Sequence, residues 1–261
     1  MADSTTLALV TGASTGIGFE LAKLFATNGY DLVIAADEAQ IHVAAQQLSE
    51  YGHAVTPVEV DLRSPDGVVE LYREATAGGR HLDAAALNAG IGRAGRFVDG
   101  DLADDMSIID LNVRSTVHLA KLVLRDMADR GSGRVLFTSS TVAAIPGSYQ
   151  SMYNASKSFV QNFAEALHDE MRGTGVTVTA LMPGPVDTRF FDRAKMRNTL
   201  IGGVLPKDDP ADVARQGYEA LMRGDQKVVA ASAMSKALGA VDAVLPDAVK
   251  ARMNRLIAKP R

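Results

Sequence analysis

The chain has no cysteine. That excludes disulfides, thiolate nucleophiles and thiolate metal sites. Its five histidines, His42, His53, His81, His118 and His168, include no close-spaced pair of the H-E-x-x-H kind. They read as surface or structural residues, and no metal is expected. No apolar run approaches the roughly 20 residues of a membrane-spanning helix. Residues 1–6 show no basic stretch followed by an apolar one, so no secretory leader is expected. These absences together suit the cytoplasm. A strong charge of one sign is also missing. The 27 basic and 31 acidic side chains leave a net charge of −4, with a pI near 5.7. That argues against nucleic acid as the main partner. There is no internal repeat, low-complexity tract or linker, so residues 1–261 are expected to form one domain with ample length for a core.

What the chain does have is alternation. Residues 7–10, 31–36, 54–60, 84–87, 133–138, 176–182 and 228–230 are short apolar runs that predict strands. Between them apolar residues recur at helical spacing. Ile17, Leu21, Leu24 and Phe25 share one face of a helix over 19–28. Further helices are predicted through Ile41, Ala45 and Leu48, from Pro65, over 103–130, over 152–172 and from Asp209 to about Met222. The alternation predicts an α/β fold with a doubly wound parallel sheet of about seven strands and helices on both faces. Ligands bind such sheets at the carboxyl ends of the strands. Gly12, Asp37, Asp61, Asn88, Ser140 and Pro183 all follow predicted strand ends, so they are expected along one edge.

Thr11-Gly12-Ala13-Ser14-Thr15-Gly16-Ile17-Gly18 occupies the first strand-to-helix turn. A helix start leaves backbone N–H groups free, a ready site for a phosphate. Gly12 permits the tight turn, Gly16 lets backbone approach a pyrophosphate, and Gly18 lets the helix lie close to the sheet. The same glycines would also serve a merely structural turn. Asp37 follows Gly18 by 19 positions, about where a carboxylate accepts from an adenosine ribose; the alternative is a solvated helix cap. Asp61 is placed to accept from an adenine amino group, or to serve as a cap or turn residue.

Tyr153 and Lys157 stand four apart in Tyr153-Asn154-Ala155-Ser156-Lys157, which puts both on one helix face. A tyrosine normally titrates near pH ~10. A neighbouring ammonium is expected to lower that value, so the phenol can exchange protons with an alcohol near neutrality. Ser140, at a strand end, can hydrogen-bond and orient a substrate oxygen. Taken alone, the Tyr–Lys pair equally suits a packing contact.

In combination, Thr11-Gly12-x-x-x-Gly16-Ile17-Gly18, Asn88-Ala89-Gly90, Asn112, Ser140, Tyr153-x-x-x-Lys157 and Pro183-Gly184 resemble the short-chain dehydrogenase/reductases in their single-domain, Rossmann-type form, over roughly residues 5–230. The 13-residue gap from Ser140 to Tyr153 fits that family and selects Ser140 over Ser139. The resemblance implies hydride transfer between NAD(P) and a secondary alcohol or ketone. Tyr153 would be the general acid or base, and Lys157 would hold the nicotinamide ribose. Asn112 would retain a water in a proton relay, or make a purely structural hydrogen bond. Along the cofactor the resemblance implies Gly12, Ser14, Thr15, Gly16, Ile17, Gly18, Asp37, Asp61, Leu62, Asn88, Ala89, Gly90, Pro183, Gly184, Val186 and Thr188. Asp37-Glu38, with no basic residue in the glycine loop, favours NAD. Ala36 stands where the NAD-type aspartate usually sits, which leaves NADP as the alternative. A homodimer or homotetramer is expected.

Substrate choice is expected from residues 91–101, 141–152 and 188–205. The last stretch carries Phe190, Phe191, Met196, Leu200, Ile201 and Leu205, with Gly202-Gly203 as a hinge. It is either an apolar lid over an apolar substrate or ordinary helix packing. From about residue 232 a helical tail is expected. Val249, Met253, Leu256 and Ile257 share its apolar face, and Lys250, Arg252, Arg255, Lys259 and Arg261 give it basic charge. Packing on the chain's own core or on a partner subunit is favoured over an anionic membrane surface. Two other readings remain. One is a dinucleotide-binding sensor without catalysis, for which the Asn112, Ser140, Tyr153 and Lys157 set would have no use. The other is an isomerase or dehydratase, disfavoured by the short substrate region.

Overall fold

The computed structural model describes residues 6–230 and 246–259. Its strands are β1 (Leu7–Thr11), β2 (Asp31–Ala36), β3 (Val55–Glu59), β4 (Ala84–Leu87), β5 (Gly133–Thr138), β6 (Val176–Pro183) and β7 (Lys227–Ala230). They form one sheet in the order β3-β2-β1-β4-β5-β6-β7, and every pairing is parallel. β1 and β4 are buried along their whole length. Helices cover both faces of such strands, which therefore read as continuous apolar runs.

On one face lie α3 (Pro65–Ala75), α5 (Thr116–Arg130) and α6 (Ser151–Glu170), around Leu71, Met127, Phe137 and Val160. On the other lie α1 (Gly16–Thr27), α2 (Gln40–Ser49) and α9 (Pro210–Arg223), around Leu21, Phe25, Ile34 and Leu221. The chain runs outward from β1 to β3, then returns and runs the other way from β4. The β1/β4 boundary is the point where strand order reverses, and a crevice opens there beyond the carboxyl ends.

The long helical region predicted over 103–130 is present and unbroken, with a change of winding inside it. α4 (Leu102–Ile108) leads into a π-helical stretch, Ile109–Ser115, before α5. π-Turns gather at functional sites, and this one carries Asn112. Two short helices, α7 (Phe190–Arg193) and α8 (Leu200–Gly203), stand beyond β6. They enclose a small core of Phe191, Ala194, Met196 and Ile201. The expected tail helix is present as α10 (Asp247–Ala258). The part of that expectation falling on residues 231–245 lies outside the described residues. Among the described residues no helix is long and apolar enough to cross a membrane.

Candidate active site

A cleft of about 1380 Å³ opens over the reversal point. Its floor is built by strand ends tied to one another. Thr11 Oγ1 accepts from the backbone N–H of both Asn88 and Ala89 at 3.0 Å. The Asn88 amide donates to Thr11 and Gly12 carbonyls, and its Oδ1 accepts from Thr138 Oγ1 at 3.0 Å. One asparagine thus fixes the ends of β1, β4 and β5.

The glycine turn lies along this floor. α3, α4 and α9 each cap a first-turn N–H with Ser64, Asp101 or Asp209. α1 has no side-chain cap and no acid in its first turn, so its N–H groups are left for a ligand. Gly12, Ser14, Thr15, Gly16 and Ile17 line the cleft. Gly12 and Gly16 hold φ of 66° and 62°, which L side chains rarely adopt. A Cβ on Gly16 would also stand 2.9 Å from the Thr188 methyl. Gly16 is therefore needed where the β6 loop closes against the turn, as well as for backbone approach. Gly18 departs from its expected place along the cofactor. It is buried behind the turn, where a Cβ would collide with the Gly12 carbonyl. Its part is helix-to-sheet packing. An uncapped helix start facing a cleft of this volume, with two left-handed glycines beneath it, fits a dinucleotide pyrophosphate.

At the far end Asp37 and Glu38 follow β2 and line the cleft with Asp61 and Leu62. Their carboxylates are already partnered. Ser14 Oγ donates to Glu38 Oε1 at 2.6 Å, and the Arg193 guanidinium donates to the same oxygen. Ser14, foremost, and Arg193 hold the Glu38 carboxyl below its ordinary range. Arg63 donates to Asp61 Oδ1 at 2.8 Å and lies 3.7 Å from Asp37. Asp61 is lowered chiefly by that Arg63 hydrogen bond. Two expectations change accordingly. Ser14 engages Glu38, and Asp61 faces an arginine before any adenine.

The reactive end is framed by α6. Ser140 Oγ lies close enough to the Tyr153 hydroxyl to oppose the rise of its pKa, and it donates to the Pro183 carbonyl at 3.3 Å. Ser139 is spent on the Lys157 carbonyl at 3.0 Å, so its neighbour faces the tyrosine, as expected. Lys157 Nζ donates to the Thr138 carbonyl at 2.8 Å and lies 6.0 Å from the Tyr153 ring centroid. The two titrating groups depart from the expected direction. Burial pushes the Tyr153 phenol up to about 12, against the opposing effect of Ser140, and burial brings Lys157 down to about 8. The physical reason is common to both: a cleft that withholds water favours the neutral form of each.

Asn112 is buried, and it does not line the cleft. Both its Nδ2 protons are used, on the Ile91 carbonyl and Ser156 Oγ, and its Oδ1 accepts from the Ile91 N–H at 2.9 Å. Those bonds are the structural alternative weighed from sequence. Asn112 Oδ1 and Lys157 Nζ nonetheless meet across the space a Gly90 side chain would take, at 3.3 and 3.2 Å from its Cβ position. Ala89, Gly90, Pro183, Gly184, Val186 and Thr188 line the cleft as expected.

Gln150, Ile91 and Leu111 line the cleft without having carried a sequence signal, and Gly92, behind the lining, carried none either. Gly92 lets Phe190 and Tyr153 approach, since its Cβ would stand 2.6 and 3.1 Å from them. The Tyr153 and Phe190 rings lie 5.2 Å apart. Phe190, Phe191, Ile201 and Leu205 line the cleft, whereas Met196 is buried beneath them and Leu200 does not reach it. The hinge expected at Gly202-Gly203 is a packed turn: side chains there would collide with the Met196 carbonyl and crowd that of Arg197. α10 forms part of the roof, contributing Lys250, Met253, Asn254 and Ile257. Asn254 Nδ2 donates to the Ser148 carbonyl at 2.8 Å. The helix thus lies on its own chain, and only part of its predicted apolar stripe faces inward: Ile257 packs on the small core and, with Met253, borders the cleft. Lys250, Asn254 and Ala258 are buried, while Val249, Met253 and Leu256 are exposed. Among the described residues no three His, Asp or Glu side chains gather as a metal site.

A doubly wound parallel sheet, an uncapped glycine turn and a Ser–Tyr–Lys set at one rim define a nucleotide-binding protein equipped for proton transfer. Residues 6–198 match the short chain dehydrogenase family model. The chain belongs to the short-chain dehydrogenase/reductases, a family of NAD(P)-dependent oxidoreductases. It is 35% identical over 186 residues to a short chain dehydrogenase of Pseudocercospora fijiensis, spanning 70% of this chain and 60% of that one. It is 33% identical over 189 residues to sulfoacetaldehyde reductase 2 of Chromohalobacter salexigens, spanning 70% and 74%. A Sphingobium yanoikuyae short-chain dehydrogenase solved with NADPH superposes with a TM-score of 0.81 at 24% identity, over 98% of both chains. One from Burkholderia phymatum solved with NAD does so at 0.81 and 22%, over 92% and 93%.

Proposed function

We propose that this protein transfers a hydride between NAD(H) and a secondary alcohol or ketone with an apolar body, with Tyr153 as general acid in reduction and general base in oxidation. The observation that carries this is that Ser140, Tyr153 and Lys157 line the cleft together, Lys157 Nζ 6.0 Å from the Tyr153 ring centroid and one helical turn further on. A bound nicotinamide supplies or accepts the hydride. Ser140 orients the substrate oxygen. In reduction Tyr153 gives that oxygen its phenolic proton while the carbonyl carbon gains the hydride; in oxidation both flows reverse. A phenol pushed up to about 12 stays protonated across neutral pH, which is the form reduction needs. Lys157, held by the Thr138 carbonyl, offers donors to a ribose and a charge that favours phenolate when Tyr153 acts as base.

NAD is favoured over NADP because Asp37 and Glu38 follow β2, and Arg63 and Arg193, which reach that end, are engaged by Asp37, Asp61 and Glu38. A 2′-phosphate would add charge beside those carboxylates and find those two cations taken. Phe190, Phe191, Ile201 and Leu205 supply an apolar wall for the substrate body.

A panel of alcohols and ketones, followed by NADH and NADPH absorbance, tests the reading, with Tyr153→Phe as control. Turnover with NADH ahead of NADPH, abolished in the variant, is expected. Tight dinucleotide binding with no turnover of any substrate would leave the sensor alternative standing. Equal specificity constants for the two cofactors would remove the NAD preference.

A further inference from the structure

Gln150 immediately precedes α6 and stands three residues before Tyr153. One turn of helix brings such positions to roughly 5–6 Å between Cβ atoms. Its side chain is 3% exposed, yet it lines the cleft. Its Oε1 is buried and has no hydrogen-bond partner. Its Nε2 donates only to the thioether of Met196, at 3.4 Å, a weak acceptor. Buried amides almost always find partners, so a glutamine left this poor beside a reaction centre calls for a ligand. The backbone is shaped to hold it there. Tyr149, just before it, has φ of 68°, an outlier for an aromatic residue. That turn is pinned by the Tyr149 carbonyl accepting from Gly95 N–H at 2.8 Å and by Gln150 N–H donating to Gly147 at 2.8 Å. Gln150 also borders a second cavity of about 90 Å³, with room for little beyond water.

We propose that the Gln150 amide reads a second oxygen on the substrate, a hydroxyl or carbonyl a few bonds from the reacting carbon. The natural substrate class is then an oxygenated ketone or its alcohol, such as a hydroxyketone or diketone, on an otherwise apolar frame. An amide can donate or accept by turning about its last bond, so either oxygen function is matched. A hydroxyketone pairs the glutamine that a plain ketone leaves as it was, and that gained bond is what discriminates.

This inference rests on the oxidoreductase reading. The test compares matched pairs on the full chain with NADH: benzoin against deoxybenzoin, and diacetone alcohol against methyl isobutyl ketone. The wild type is expected to favour the hydroxylated member by about tenfold or more in kcat/KM in at least one pair. Gln150→Met should bring that preference to within about twofold by lowering the hydroxyketone value alone. Gln150→Glu, which keeps length and an acceptor, should retain preference for the hydroxyl. It also serves if the Met variant fails to bind NADH. A wild type without preference in either pair, or a preference surviving in Gln150→Met, overturns the proposal. So does a uniform loss for both members of a pair, the mark of a role confined to holding water in the small cavity. Failure of the parent reading looks different: no ketone is reduced at all, or Tyr153→Phe is undiminished.

Discussion

The floor and the roof of the cleft are built in opposite ways. The floor is backbone at strand ends, cross-tied by Thr11, Asn88 and Thr138. The roof is side chains: Phe190 and Phe191 on α7, Ile201 on α8, Met253 and Ile257 on α10. A backbone floor offers the same amides and glycine turn to any dinucleotide. A side-chain roof can change its shape and polarity one residue at a time. Breaking the floor should therefore cost activity toward every substrate, whereas breaking the roof should only re-rank them.

The largest expected effect lies where floor meets chemistry. Lys157→Met should lower kcat by about 10²–10⁴ for all substrates alike, the usual weight of an acid–base apparatus. The same variant should alter stability in a pH-dependent way. Lys157 falls to about 8 in the folded protein from 10.5. Between those values the unfolded chain binds more protons, so wild-type stability rises with pH. Above pH 10 Tyr153, raised to about 12 from 10.0, acts in the opposite sense. Relative to Lys157→Met, the wild type should thus gain about 2–3 kcal/mol between pH 8 and 10, at 1.36 kcal/mol per pKa unit. Denaturant titrations across that range measure it, and a flat difference would show that the lysine is not desolvated.

Next comes Gly18→Ala, directed at the floor alone. Its Cβ would meet the Gly12 carbonyl, and rigid backbone cannot yield as a side chain does. Overpacking of this kind costs about 1–3 kcal/mol. Cofactor affinity should fall with stability, while ratios between substrates stay fixed. Thermal melts with and without NADH check the first, and a substrate panel the second.

The floor was legible because its signals are local. Strands sealed on both faces must be apolar runs, so β1, β2, β4 and β5 fall where the sequence places them. A turn that needs left-handed backbone needs glycine, so Gly12 and Gly16 could be assigned before any coordinates. The roof obeys no such rule. α10 shows this most plainly: helical periodicity puts Val249, Met253, Leu256 and Ile257 on one apolar face, yet within this chain only Ile257 packs on a core, Leu256 is 70% exposed and Asn254 is 2% exposed. The helix is turned by what it meets, the Ser148 carbonyl and the cleft. Both lie about a hundred residues away in sequence. Asn112 was legible only in part, for a related reason. Its position could be found by motif, but the π-turn that fixes its amide on Ile91 and Ser156 has no sequence signature. The Tyr153 and Lys157 titrations went astray because desolvation is a property of the assembled cleft, not of a four-residue spacing.

Removing residues 246–261 tests the roof as a unit. The truncated protein should bind NADH as before. Its kcat/KM for bulky apolar ketones should fall by about tenfold, the loss expected when a side-chain group or two leaves an apolar pocket. Small ketones should change little. Loss of NADH binding would instead show that the tail supports the floor, and the distinction between the two halves would fail.

The smallest effect is expected at a contact that joins the halves. Arg193, on α7, reaches Glu38 at the end of β2, where Ser14 of the glycine turn donates to the same oxygen. Both side chains remain substantially open to solvent, at 44% and 30%, and such pairs contribute about 0–1 kcal/mol. Arg193→Ala should therefore leave the melting temperature nearly unchanged. Ser14 remains to hold the Glu38 carboxylate, being the foremost cause of its lowered pKa. What should change is communication between roof and floor. With the arginine gone, the Glu38 carboxylate loses its neutralising charge at the cofactor end, so discrimination against NADPH should rise by a few-fold and should weaken with added salt. If discrimination is instead unchanged or falls, the Glu38 charge does not reach the 2′-phosphate, and the preference is set elsewhere, Asp37 being the other carboxylate at the end of β2. If the melting temperature falls by many degrees, the two halves are one cooperative unit, and the roof is no independent module.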